Sequence, residues 1–326
     1  MHRNPAIDNL KCIGLLCIML AHVGSPFIIM QLRNFDVPLM IICSSILFFR
    51  QSHSLSLSNY ILYFKKRIKR LILPTWLFLT IYFGICALTG HPFPPSTIFS
   101  SYALYWGIGY VWILRIFLLV ALLLPLLDYF LNKNSTKTYF FMFLLFLCYE
   151  AIANTGFLTP LPAQFFISFI IPVASIICFA FWIKGSSNKN LFCGSILCLS
   201  ISFFIGYTLY TATGYIYNTN FMKYPFRIYY LGYAIGMNGL LVLLFRNDRL
   251  TRIFNNRLVT FIRSHSLWIY LWHILFVTIS PSDLEWWLRF AGVLLSSLVI
   301  TFAQTQLVNW LEAKHIAPFF TDVLKG

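Results

Sequence analysis

The chain reads as an all-α polytopic membrane protein of about ten transmembrane helices, with the N-terminus and the C-terminus both cytoplasmic. Three observations predict this. Its 326 residues are 59% hydrophobic, with a mean hydropathy of +0.77. Only 10% are charged, against about 25% in a soluble domain, which leaves little room for a separate soluble module. Lys and Arg concentrate in alternate connecting segments, the pattern that fixes orientation in a bilayer.

The apolar runs fall at roughly 7–29, 35–50, 71–89, 108–130, 138–155, 163–183, 191–212, 228–246, 264–281 and 286–311, each near the length a bilayer crossing needs, with the second and ninth short. The first is too long and too studded with polar residues for a cleavable signal. With a cytoplasmic N-terminus, nineteen of the 24 Lys and Arg, from Arg3 and Lys11 to Lys325, face the cytoplasm. Arg33, Lys223, Arg227 and Arg289 face outward, and Arg115 lies within the fourth span. The net charge of +15 is therefore a topology signal, and no nucleic-acid partner is expected. All eight cysteines lie in or beside apolar runs with no CxxC pair, which excludes a disulfide framework and a metal site.

Polar residues within the spans carry the functional argument, because ionisable groups at membrane depth are costly. Asp8, Lys11 and His22 fall in the first apolar run. Lys11 and His22 are eleven residues apart, which on a continuous helix is about three turns, so they share a face about 16 Å apart. Asp8, three residues before Lys11, is at pairing distance. A cation near the inner end and an imidazole nearer the outer end suggest a polar path. Neutral imidazole, with an ordinary pKa of about 6.5, is suited to taking a proton from an attacking hydroxyl.

The segment Ile61 to Arg70 is a basic amphipathic stretch expected to lie along the interface before the third span. Its cations suit anionic lipid, and its Arg67 and Arg70, an i, i+3 pair, equally suit a polyanionic phosphate ligand. Arg115, about seven residues into the fourth span, calls for a polar cavity or a partner, with Glu150 and Asp36 both available. Tyr270 and His273 share a face at the start of the ninth span, where aromatic packing is the simpler explanation. The longest outer segments, about 89–107 and 212–227, are rich in aromatic residues that suit an interfacial belt and also sugar stacking.

Taken together these stretches resemble the acyltransferase 3 family of bacterial integral-membrane O-acyltransferases. Ile7-Asp8-Asn9-Leu10-Lys11 with His22 matches that family's Leu-Asp-x-Leu-Arg segment and its His eleven residues later. Phe35-Asp36-Val37-Pro38-Leu39 resembles the opening of its second span, with Ser44-Ser45 in place of Ser-Gly. Arg67 and Arg70 match its Arg-x-x-Arg, Val111-Trp112-Ile113-Leu114 its Trp-Phe-Leu segment, and Ser266 to His273 its Ser-x-x-Tyr-Leu-x-His segment. Lys11 departs from the usual Arg, keeping the charge but losing the planar fork. Ser45 for Gly alters close helix approach.

The resemblance implies a single transmembrane acyltransferase domain over residues 1–326 in the inner membrane of a bacterium. Such enzymes move an acyl group, most often acetyl from acetyl-CoA, onto a hydroxyl of a surface polysaccharide or its lipid-linked precursor. Carried over, His22 is the catalytic base, with Lys11 and Asp8 in the same catalytic group. Arg67 and Arg70 hold the CoA phosphates at the cytoplasmic face while Lys11 orients the donor. Arg115, Trp112, Tyr270, His273 and Asp36 serve the substrate, and no metal is expected. Direct attack on the thioester and passage through an acyl-enzyme both fit. The chain ends about fifteen residues beyond its last expected span, so no fused extracytoplasmic domain is expected. A transporter or flippase of a lipid-linked sugar or small anion is the competing reading, with Lys11, Arg115 and His22 lining its path. It is weakened by the lack of evident repeats. A lipid-binding scaffold gives no reason for the intramembrane ionisable groups.

Overall fold

A computed structural model describes residues 4–51, 57–105, 107–155, 162–254, 256–316 and 318–325. Arg3, counted above among the inner cations, lies outside them. The structure is 82% helical, with no strand among the described residues. In chain order the helices are α1 (Pro5–Leu20), α2 (Phe27–Leu32), α3 (Asp36–Phe49), α4 (Leu57–Leu88) and α5 (Pro95–Tyr102). Then come α6 (Trp112–Asn154), α7 (Pro162–Gly185), α8 (Asn188–Thr213), a 3-10 turn at Thr219–Met222 and α9 (Ile228–Phe245). The chain closes with α10 (Asp248–Ile253), α11 (Arg257–Ser264), α12 (Ser266–Ile279), α13 (Trp286–Ala313) and α14 (Pro318–Lys325).

Among the described residues, seven helical stretches are long and apolar enough to cross a membrane: Phe27–Phe49, Ser58–Leu88, Trp112–Asn154, Ser168–Gly185, Asn188–Thr213, Ile228–Phe245 and Trp286–Ala313. Two further apolar helices, α1 with 16 residues and α12 with 14, are shorter. The 43 residues of α6 are not one rod: Asn134 leaves helical geometry (φ −161°, ψ 91°), and its side chain accepts from the Lys137 amide at 3.0 Å, capping the helical stretch beyond it. That break falls between the expected fourth and fifth spans.

Two elements differ from the sequence reading. The first span, expected over 7–29, stops at Leu20, because Gly24 takes the left-handed conformation (φ +76°) and Pro26 comes two residues later. Ser25 Oγ donates to the Leu20 carbonyl at 2.7 Å and closes the turn. His22 therefore sits in a turn beyond the helix, so the continuous helix that would have put it three turns from Lys11 on one face does not form. The basic segment 61–70 is not a separate interfacial helix either. It is the first part of α4, a continuous 32-residue helix with Pro74 inside it. At 1.5 Å per residue α4 is about 48 Å long, against a hydrocarbon core of about 30 Å.

The chain divides into two compact units. One comprises Met1–Ile18, Pro26–Ser56 and Leu119–Asn256. Within it α8 lies close along α9. A methyl group on Gly236 would meet the Ser195 carbonyl at 2.8 Å, so only glycine permits that approach. An apolar cavity of about 380 Å³ in this unit is lined by residues including Phe143, Phe146, Phe179, Trp182, Ile201 and Ile235, and contains none of the candidate residues.

The second unit comprises Met19–Ser25, Leu57–Leu118 and Arg257–Gly326. Here α12 packs on α4 and α13, with Phe78 edge-on to Trp272 and Trp272 stacked on Trp268. Polar ties fix the register: Trp272 Nε1 donates to Gln304 at 2.7 Å, and Tyr82 and Thr278 share a hydrogen bond of 3.2 Å.

Candidate active site

The second unit brings three of the candidate residues together. His22, in the turn after α1, places Nδ1 3.0 Å from Nε2 of His273, with the ring planes 29° apart and the centroids 5.2 Å apart. His273 is 0% exposed, on the buried face of α12, and its Nδ1 contacts the Tyr270 carbonyl one turn back. The Tyr270 hydroxyl donates to the Tyr110 carbonyl at 2.6 Å, and the Tyr110 ring stands edge-on to His22 with centroids 4.8 Å apart. Tyr110 lies in the connection before α6, and no local feature of the sequence sets it apart from its aromatic neighbours. Burial raises the pKa of its hydroxyl, partly opposed by the Arg289 guanidinium. The cluster thus couples one half-buried imidazole to a second that is sealed in apolar surroundings.

Arg115, 4% exposed in the first turns of α6, donates to the Tyr105 carbonyl at 2.9 Å and lies over the Tyr105 ring. Trp112, half-buried, opens the same helix. Both acids expected as partners for Arg115 hold other cations. Glu150 accepts from Arg227 Nε at 2.9 Å, and Asp36 is taken by Arg33 and Lys223. Arg289, expected from the sequence to face outward, donates to Ser280 Oγ at 2.8 Å and to the Val277 carbonyl at 3.0 Å.

Arg67 and Arg70 stand one turn apart on α4 and are electrostatic neighbours. Arg67 lies over the Tyr63 ring. Beside them Lys69 reaches Asp322 of α14 at 3.5 Å. The cations are presented in one cluster, which anionic lipid and a phosphate ligand can both use.

Asp8 and Lys11 belong to the first unit, where both are within electrostatic reach of Cys43 of α3. Asp8 is buried, and its neighbour Asn9 donates to the Thr251 carbonyl at 3.2 Å. Asp36, at the start of α3, is the centre of a buried charge cluster. Arg33 Nη1 donates to it at 2.5 Å and Lys223 Nζ at 3.3 Å, while Asn34 bridges Lys223 and Thr219. Burial pushes Lys223, in the connection before α9, down to about 8, with Asp36 pulling the other way. Arg33 three residues before Asp36 is a signal the sequence offers; Lys223, 187 residues later, is not. Among the described residues no group of three His, Cys, Asp or Glu could hold a metal ion.

A family model described as an acyltransferase domain matches residues 4–305. The chain belongs to the acyltransferase 3 family. It is accordingly a multi-pass membrane acyltransferase, and the match spans both compact units. No curated protein and no solved structure matches it.

Proposed function

We propose that this acyltransferase moves an acetyl group from acetyl-CoA to a hydroxyl of a cell-surface polysaccharide or its lipid-linked precursor, in the inner membrane of a bacterium. The observation that carries this reading is His22 held against His273 within a chain of this family. A half-buried imidazole with a fixed neighbour is suited to general-base work. The hydroxyl oxygen attacks the thioester carbonyl carbon as His22 takes its proton. The tetrahedral intermediate collapses with loss of the C–S bond, and the proton passes from His22 to the departing CoA thiolate. An acyl-enzyme route would divide the same transfer into two steps.

Arg67 and Arg70 hold the donor's phosphates on the cytoplasmic side, with Lys11 orienting the donor and Asp8 beside it. Both termini lie on that side. Arg115, Trp112, Tyr270 and Asp36 serve the acceptor through the packing and charge around its path. Proton NMR of surface polysaccharide tests the reading. Samples come from a parent strain, a deletion strain, and the deletion strain complemented with His22→Ala. Acetyl signals lost on deletion and not restored by the variant support it. Acetyl content that never changes while polymer export does would favour a transporter.

A further inference from the structure

The pairing of His22 with His273 fixes which nitrogen carries which proton. His273 is fully buried, and its Nδ1 contacts the Tyr270 carbonyl oxygen. A carbonyl only accepts, so Nδ1 of His273 must be the protonated nitrogen; the other tautomer would press two lone pairs together. In the neutral ring, Nε2 of His273 is then an acceptor, and the group 3.0 Å from it is Nδ1 of His22. That nitrogen must donate. The chain of donors therefore runs from His22 Nδ1–H to His273 Nε2, and from His273 Nδ1–H to the backbone of α12. It leaves Nε2 of His22 as the nitrogen that bears the basic lone pair.

We propose that His273 is a positioning residue that locks His22 in the Nδ1-protonated tautomer, so that Nε2 is the nitrogen that takes the acceptor's proton. This rests on the reading of His22 as the base. The hydrogen bond to His273, with the two rings only 29° from parallel, and the edge of Tyr110 against His22 restrain the imidazole's rotation, so orientation and tautomer are set by one group of contacts. The Tyr270 hydroxyl, bonded to the Tyr110 carbonyl, ties α12 to the segment that carries that edge. His273 acts through His22 and not on the substrate. The same logic governs other catalytic imidazoles, where a wrong tautomer lowers turnover by up to about 10⁴-fold with the geometry intact.

The test is nitrogen NMR of the full chain, labelled with ¹⁵N-histidine and reconstituted in lipid vesicles. With seven histidines, the His22 signals are identified by subtraction against His22→Gln. In the wild type His22 shows a protonated Nδ1 and an unprotonated Nε2. His273→Leu removes the acceptor and shifts His22 toward the other tautomer, with at least tenfold lower kcat and an unchanged KM for acetyl-CoA. His273→Gln, which carries an acceptor oxygen of similar reach, restores much of both. A His22 tautomer unchanged in a folded His273→Leu overturns the inference, as does a wild-type His22 protonated on Nε2. If His273→Leu does not fold, a His273→Gln protein with His22 protonated on Nε2 overturns it equally. The two claims fail separately. Full transfer by His22→Ala removes the base and leaves the tautomer result standing, whereas an inactive His22→Ala beside an unmoved tautomer removes only the role of His273.

Discussion

Replacing Asp36 with Asn keeps the shape of the side chain and deletes the carboxylate that faces two buried cations. Asp36 is 1% exposed and Lys223 3%, so neither can be rehydrated without moving the backbone. Arg33 and Lys223 approach the carboxylate at 2.5 and 3.3 Å. At an effective dielectric of about 20, a unit pair at the longer distance attracts by about 5 kcal/mol. Removing one partner of a buried pair costs about 3–5 kcal/mol, because the remaining charge is left unpaired in a poor solvent. At roughly 2 °C per kcal/mol, Asp36→Asn should lower the melting temperature of the detergent-solubilised protein by about 6–10 °C. Adding Lys223→Met should recover part of that loss, since it removes one of the stranded charges. The assay is a thermal melt followed by tryptophan fluorescence, run on both variants and the wild type under one condition. An Asp36→Asn protein that melts with the wild type would refute the buried cluster as a source of stability. A double variant less stable than the single one would refute the account of why.

Three further outcomes rest on particular side chains. Arg67→Ala with Arg70→Ala should raise the KM for acetyl-CoA about a hundredfold or more, each of the two lost phosphate contacts being worth about 1.5–3 kcal/mol; unchanged donor dependence in steady-state kinetics would return the segment to a lipid anchor. Lys11→Arg should retain activity if Lys11 acts as a positive charge, and a large kcat loss would show that the site is fitted to the compact ammonium. Lys223 is held at about 8, below the ordinary lysine value of 10.5, chiefly by burial. Its charge is therefore a penalty that is complete below pH 8 and relieved as pH climbs toward 10.5. The stability of the wild type relative to Lys223→Met should be nearly flat below pH 7 and rise from pH 8 to 10; a fall across that window would contradict the assignment.

The helical membrane architecture is legible in the sequence because hydrophobic length and charge placement report it directly. The runs at 228–246, 264–281 and 286–311 lie within two residues of α9, α12 and α13 at each end. The end of α1 is hidden although its signal is present: Gly24-Ser25-Pro26 is a turn sequence, and the apolar run beyond it obscures the stop. The two parts of α4 read as separate because charge patterning changes at Arg70, yet nothing in the backbone obliges the helix to break there. His22 and His273 each stand out in the sequence, one as a base and one for the substrate. A contact across 251 positions joins them, and no local periodicity encodes it. The outer cations behave alike. Arg33, Lys223, Arg227 and Arg289 count in the sequence as charges on the outer side, and in the structure each is held by named oxygens.

In the proposed reaction His22 is the general base that takes the proton of the acceptor hydroxyl as it attacks acetyl-CoA. The most direct measurement is release of CoA thiol from acetyl-CoA by purified protein in lipid vesicles, with and without polysaccharide acceptor, for the wild type and for a folded His22→Ala. Acceptor-stimulated thiol release by the wild type, falling by about 10²-fold or more in the variant, is the predicted result. Equal release by both proteins would contradict the role of His22, and no acetyl-CoA turnover by the wild type with acceptor present would contradict the donor.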